Sequence, residues 1–234
     1  RKEYFAVKPL PMDAARLTEI ADLLDPDLHW ILNDVSTFGV RAEVEGAPHR
    51  VDVPPHRSAR LQIVEMFLRA IEEFRMGVTL LVSDEVKHLT MDVEVCPMGS
   101  TVKRSTLTQK VLGEQRPIHD LAFGSETSVN SRTRNTPPTV CPQHDDLAEH
   151  IVAAHYLMPG VQLMGTKRDV RKAFRNELVE AEDVRFFATL LPSICETILG
   201  MILVILGALA FGWNNSPGYF GFAGWGIVQA YRRL

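Results

Sequence analysis

The sequence predicts an α+β fold in which antiparallel sheet packs against helices, and three stretches carry that prediction. In the first, Leu61, Val64, Phe67, Leu68, Ile71 and Phe74 fall on one helical face, with Ser58 placed to cap the start and Gly77 to end it. In the second, residues 78–82 and 91–95 are short runs rich in branched side chains, followed by Pro97 and Gly99 as a turn, which is the pattern of short strands. In the third, residues 194–211 are almost wholly apolar and lead into glycines at 212, 218, 221, 224 and 226. The 13 uninterrupted apolar residues of 199–211 fall short of the roughly 20 that a helix needs to cross a bilayer. Buried strands are therefore the favoured reading, and a membrane anchor over 199–211 is the alternative.

The remaining elements follow in chain order. Leu17, Ile20, Ala21 and Leu24 recur at helical spacing over 13–24, until Asp25-Pro26 stops the pattern. Residues 35–53 alternate weakly around Gly39, Gly46 and Pro48 and read as short strands or irregular structure. Pro54-Pro55 marks a soft boundary between an appended region, 1–53, and a main unit, 54–234. Residues 127–143 are polar, with Pro137, Pro138 and Pro142, and predict a long loop before a helix over 145–157 that Pro159-Gly160 closes. Residues 162–164 feed a strand towards Asp169, and 173–184 turn helical.

At 234 residues and 46% hydrophobic content the chain is long enough for a sizeable core, and it reads as part of something longer. No secretory signal pattern opens it. Three cysteines, Cys96, Cys141 and Cys195, are odd in number and widely spaced, which argues against a disulfide framework and for an intracellular site in cytoplasm or nucleus. A net charge of −4 does not advertise nucleic-acid binding, but the average hides a pattern. Between 99 and 135, Lys103, Arg104, Lys110, Arg116, Arg132 and Arg134 outnumber Glu114, Asp120 and Glu126, while Lys167, Arg168, Arg171, Lys172 and Arg175 surround Asp169. Such zones suit a polyanion site beside a lone carboxylate, or the solvated faces of ordinary elements.

Several residue groups bear on chemistry. Arg116 precedes a strand and a polar turn ending in Asn130; its planar fork could grip a phosphate, or it is a surface arginine. His119 and Asp120 are adjacent on a strand and so point to opposite faces, which argues against a catalytic dyad between them. Asp169 after a strand is either a ligand for a hard cation such as magnesium or a helix cap. Residues 211–217 end the apolar run in a turn where Gly212 permits close backbone approach and Pro217 can open a helix. Cys141, His144, His150 and His155 match no zinc spacing, and dinucleotide-binding, nucleophile-elbow and Walker patterns are absent from the sequence.

The order of these pieces resembles the reverse transcriptases of retrotransposons. The family block Ser/Cys-Pro-x-Gly-x-Val-x-Lys is similar to Cys96-Pro97-Met98-Gly99-Ser100-Thr101-Val102-Lys103. A second block, Arg-x-Ile-His-Asp-Leu-Ser-Phe with a later Ser-Val-Asn, resembles Arg116 to Phe123 followed by Ser128-Val129-Asn130. A third, the motif supplying the first metal-binding aspartate, resembles Asp169-Val170-Arg171-Lys172-Ala173-Phe174-Arg175, and a fourth resembles Phe211-Gly212-Trp213-Asn214-Asn215-Ser216-Pro217.

The resemblance implies the fingers and part of the palm of a right-hand polymerase, with an RNA or DNA template-primer and a deoxynucleotide as partners. Arg116 and Lys103 would contact the triphosphate. Asp169, with the carbonyl of Val170, would hold Mg2+ for nucleotidyl transfer. Phe174 would lie under the sugar and exclude a ribose hydroxyl, while Gly212, Ser216 and Pro217 would shape the nucleotide and template pocket. Departures also stand out. Ala210 replaces the usual proline, Leu206 stands where the family favours an acid, and an aromatic-x-Asp-Asp hairpin does not follow the fourth block. The expectation is a fragment inactive by itself, with 202–209 left as an unpaired edge or face.

Overall fold

The computed structural model describes residues 12–48, 50–104, 111–139, 144–162, 170, 173–192 and 200–233. They form a mixed α+β fold with antiparallel sheets and packed helices. Asp13 caps α1 (Ala14–Glu19), its carboxylate accepting from the Ala15 N–H, and a 3₁₀ turn over Ala21–Leu23 leads to α2 (Pro26–Phe38). Asp25-Pro26 stops the first helical stretch, as expected, and also begins this next helix. The Asp25 carboxylate accepts from the Asp27 N–H at 3.0 Å, and Pro26 in the first turn needs no hydrogen-bond partner of its own. The helix runs through Val35, where strands or irregular structure were expected, because Leu28, Leu32 and Val35 bury on one face. Gly39 ends it at φ +89, and a side chain there would come within 2.7 Å of the Glu180 backbone nitrogen.

After a short turn of helix, α3 (Arg57–Arg60), comes α4 (Ile63–Arg75), with Gly77 at φ +75 just beyond its end. The helix is where the spacing placed it, but its buried side is not. Met66 and Ala70 face the core, whereas Leu61 is 69% and Leu68 54% exposed, with Val64 and Phe74 also outward. On the inward side the Glu73 carboxylate receives the buried Arg175 guanidinium, while Phe67 and Ile71 of the stripe are half-buried. Ser58 does not cap this helix, since its hydroxyl oxygen accepts from the Ser100 N–H at 3.1 Å.

The central sheet has β1 (Thr79–Ser83) and β4 (Ala188–Pro192) flanking β5 (Met201–Leu206), all antiparallel. Thr79 pairs with Leu206 and Ala188 with Ile205. The apolar run thus becomes the middle strand, with both edges paired, contrary to the expected unpaired edge over 202–209. Leu203, Val204, Leu206, Leu209 and Ala210 are buried with Phe186, Phe187, Leu191 and Trp213. No helix among the described residues is long and apolar enough to cross a membrane.

A second sheet is the hairpin of β2 (Met98–Arg104) and β3 (Val111–His119), with Thr101 opposite Arg116. Gly99 therefore lies in a strand and not in a turn, and residues 91–95 form no strand beyond the bridge of Val95 to Ala188. After α5 (Val129–Arg132), the exposed α6 (His144–Leu157) ends near Gly160, and a 3₁₀ turn over Ala173–Asn176 replaces the longer helix expected there. The chain closes with α7 (Ser216–Arg233), against which the amino-terminal helices pack. The Asp25 N–H donates to Gln229 Oε1 at 2.7 Å, and Leu32 fills the space left by Gly226.

Truncation of the central strand and of the outward helix face should therefore differ sharply. Leu203→Ala is expected to lower stability by about 2–5 kcal/mol through lost burial and a cavity. Leu68→Ala should cost no more than about 0.5 kcal/mol. Urea unfolding of both variants measures the difference; equal losses would show that the α4 stripe is covered.

Candidate functional site

The hairpin, the Ala173–Asn176 turn and the loop between β5 and α7 converge at one place. At its centre His119, the last residue of β3, donates its backbone N–H to the Phe211 carbonyl at 2.9 Å. Gly212 follows at φ +114, and a Cβ there would lie 1.9 Å from the His119 carbonyl oxygen. No residue but glycine fits this approach.

Around that contact the loop is fixed on all sides. Trp213 is buried, edge-on to Phe187 and stacked on Tyr219 at 5.9 Å, while its Nε1–H donates to Thr133 Oγ1. Asn130 joins through its side-chain amide, which donates to the Gly212 carbonyl. Ser216, with no exposed surface, donates its hydroxyl to the Ala210 carbonyl at 2.8 Å; it shapes the loop from behind and presents nothing to a ligand. Phe211 and Phe174 lie ring to ring at 4.8 Å, with Phe220 edge-on to Phe174 at 5.8 Å. Phe174 and Pro217, with Gly221, Gly224 and Trp225 on α7, line an open groove of about 660 Å³.

Sequence-predicted residues sort as follows. Phe174 and Pro217 line one groove, Gly212 follows Phe211, on which Phe174 packs, and Ser216 is buried next to Pro217. Arg116 is exposed on β3 and, among the described residues, pairs with no carboxylate. Lys103 lies on β2. Val170 is exposed, but Asp169, the predicted metal ligand beside it, lies outside the described residues, as do Cys141 and Cys195. Among the described residues no group of three or more His, Cys, Asp or Glu is gathered as a metal site.

Charge that composition ascribed to a polyanion site is partly internal. Arg132 pairs with Glu94, Arg134 with Glu45, and buried Arg175 with Glu73 at 2.8 Å while also donating to the Leu209 carbonyl. His119 and Asp120 do not pair with each other, as strand alternation required. Asp120 turns outward to His56 Nε2 at 2.9 Å, and the His119 ring is buried. Burial, aided by the Arg175 charge, pushes the His119 pKa down to about 3. Burial alone pushes the nearby Glu177 carboxyl up to about 8. Pairings such as Arg175 with Glu73 and His56 with Asp120 were beyond sequence reasoning, because partners so distant in the chain leave no local pattern. Ser128-Val129-Asn130 was the visible signal for Asn130. Compared with known proteins, the chain matches no protein-family model and no curated protein.

Two outcomes follow from this geometry. Gly212→Ala should destabilise the fold by more than about 3 kcal/mol, since it adds both a backbone strain and a clash, and urea unfolding reads the loss. The buried acid and base set a pH profile. His119 binds its proton in the unfolded chain near 6.5 but in the fold only near 3, so stability rises with pH across that window. Glu177 loses its proton near 4.5 unfolded and near 8 folded, so stability falls as pH rises from 4.5 to 8. Each contributes a slope of about 1.4 kcal/mol per pH unit. Where the windows overlap the slopes cancel, and the alkaline decline should vanish in Glu177→Gln while the acid limb stays.

Proposed function

We propose that this chain is the nucleotide- and template-gripping part of a reverse-transcriptase-like polymerase, the fingers and part of the palm of a right hand. The observation that carries the reading is the convergence of segments far apart in sequence. Phe174 and Pro217 line an open groove, Phe174 packs on Phe211, the loop after Phe211 meets the end of β3, and Arg116, which among the described residues pairs with no carboxylate, lies on that same strand. These are the segments whose residue order resembles that family.

In this reading Arg116, with Lys103, binds the triphosphate through charge-assisted hydrogen bonds. Phe174, resting on Phe211, lies under the sugar, and its edge contact with Phe220 as well keeps it from moving aside for a ribose hydroxyl. Gly212 and Pro217 border the base and template. Asp169 and the Val170 carbonyl are hard oxygen donors of the kind magnesium accepts, leaving its other positions to water and substrate phosphates. Bound magnesium would neutralise the triphosphate and align it for transfer.

The test is binding, by fluorescence anisotropy of a labelled RNA–DNA primer-template with magnesium and the matching deoxynucleotide. The chain is expected to bind, with deoxynucleotide favoured over ribonucleotide. Arg116→Ala should weaken nucleotide binding and reduce the salt slope by about one counterion. Asp169→Ala should abolish the magnesium dependence. A chain that binds neither duplex nor nucleotide sinks the proposal.

A further inference from the structure

We infer that Asn130 is a positioning residue for this site, holding the 211–217 loop at a fixed height against the end of β3 through both ends of its side-chain amide; the inference rests on the function proposed above. The turn at Gly212 leaves two backbone groups, the Gly212 carbonyl and the Asn214 N–H, without a backbone partner among the described residues. Asn130 meets both. Its Nδ2 donates to the Gly212 carbonyl at 2.8 Å, and its Oδ1 accepts from the Asn214 N–H at 3.1 Å.

The clamp is itself anchored. The Asn130 N–H donates to the carbonyl of Leu121, a buried residue two positions beyond His119, so the amide stands on the same framework as the end of β3. Ser128 caps this short helix, its hydroxyl accepting from the Ser131 N–H, and buried Val129 pins it to the core. On one side of the clamped turn lies Phe211, the support for Phe174; on the other Ser216 and Pro217 open α7. The amide therefore ties the aromatic floor and the groove border to the strand that carries Arg116. Recognition of the triphosphate and of the sugar and base is coupled through it.

The side chain must supply a donor and an acceptor at once. Aspartate at neutral pH keeps the acceptor and sets a second carboxylate oxygen against the Gly212 carbonyl. Once protonated, it carries an O–H where asparagine carries its N–H, and the clamp is restored.

That difference gives the experiment. Wild type, Asn130→Ala and Asn130→Asp are compared at about pH 7.5 and at about pH 4, where an ordinary aspartate is about half protonated, for binding of the labelled primer-template with deoxynucleotide. Hydrogen exchange of the Asn214 amide is followed in parallel, corrected for its intrinsic pH dependence. Asn130→Ala is expected to bind nucleotide about tenfold more weakly than wild type at both pH values. Asn130→Asp should match that loss at the higher pH and return to within about twofold of wild type at the lower one, with Asn214 protection returning in step. A merely structural contribution would shift melting temperature without this pH-selective recovery of affinity. Wild-type affinity in Asn130→Ala overturns the inference alone, as does an Asn130→Asp variant that regains Asn214 protection but not affinity. If wild type binds no nucleotide, the functional reading fails and takes the inference with it.

Discussion

The contact on which the rest depends is the approach of the Gly212 backbone to the His119 carbonyl, a packing that leaves no volume for a side chain. It joins two segments that belong to different parts of the fold. β3 is a strand of the outer hairpin, and the Gly212 loop is the exit from the central strand β5. Because the hydrogen bond from the His119 N–H to Phe211 closes beside it, the hairpin and the central sheet are held in one register. Trp213, packed between Phe187 and Tyr219, fixes the loop from the core side, and the start of α7 follows from there. The loop that leads into α7 is thus held by backbone geometry first and side chains second.

Burial of polar groups around this contact has a cost that the fold meets unevenly. The Arg175 guanidinium is paired with Glu73 and the Leu209 carbonyl, while among the described residues the His119 ring nitrogens and the Glu177 carboxyl oxygens have no hydrogen-bond partner. Without partners, burial favours the uncharged forms of both, neutral imidazole and protonated acid. The same economy explains the charge pattern. Arg175 and Arg132 serve buried and half-buried ion pairs and Arg134 an exposed one, while Arg116 on the hairpin carries its charge at the surface.

Legibility from the sequence followed the range of the forces involved. The amphipathic spacing of α4, the branched residues of β1 and the length of the apolar run are local, and each led to an element near its observed place. What local pattern could not supply was orientation. Most of the α4 stripe faces outward while Glu73 on the same helix meets Arg175, 102 residues away, and β5 is central because two distant strands pair with it. Asp25-Pro26 was legible as the stop of one helical stretch but not as the start of the next, which buries Leu28 and Leu32. At the site, Gly212 and Phe174 were marked by their blocks, whereas the inward burial of Ser216 and the outward pairing of Asp120 with His56 were set by tertiary packing.

The most direct measurement of the central claim, that these segments form one nucleotide site, is photo-crosslinking. The chain would be irradiated with a deoxynucleotide bearing an azido group on the base, in the presence of primer-template and magnesium, and the labelled peptides identified by mass spectrometry. The account predicts saturable labelling of the peptide spanning Phe211 to Pro217, competed by unlabelled deoxynucleotide and lost together with affinity in Arg116→Ala. Labelling confined to other surfaces, or labelling that unlabelled nucleotide does not displace, would contradict it.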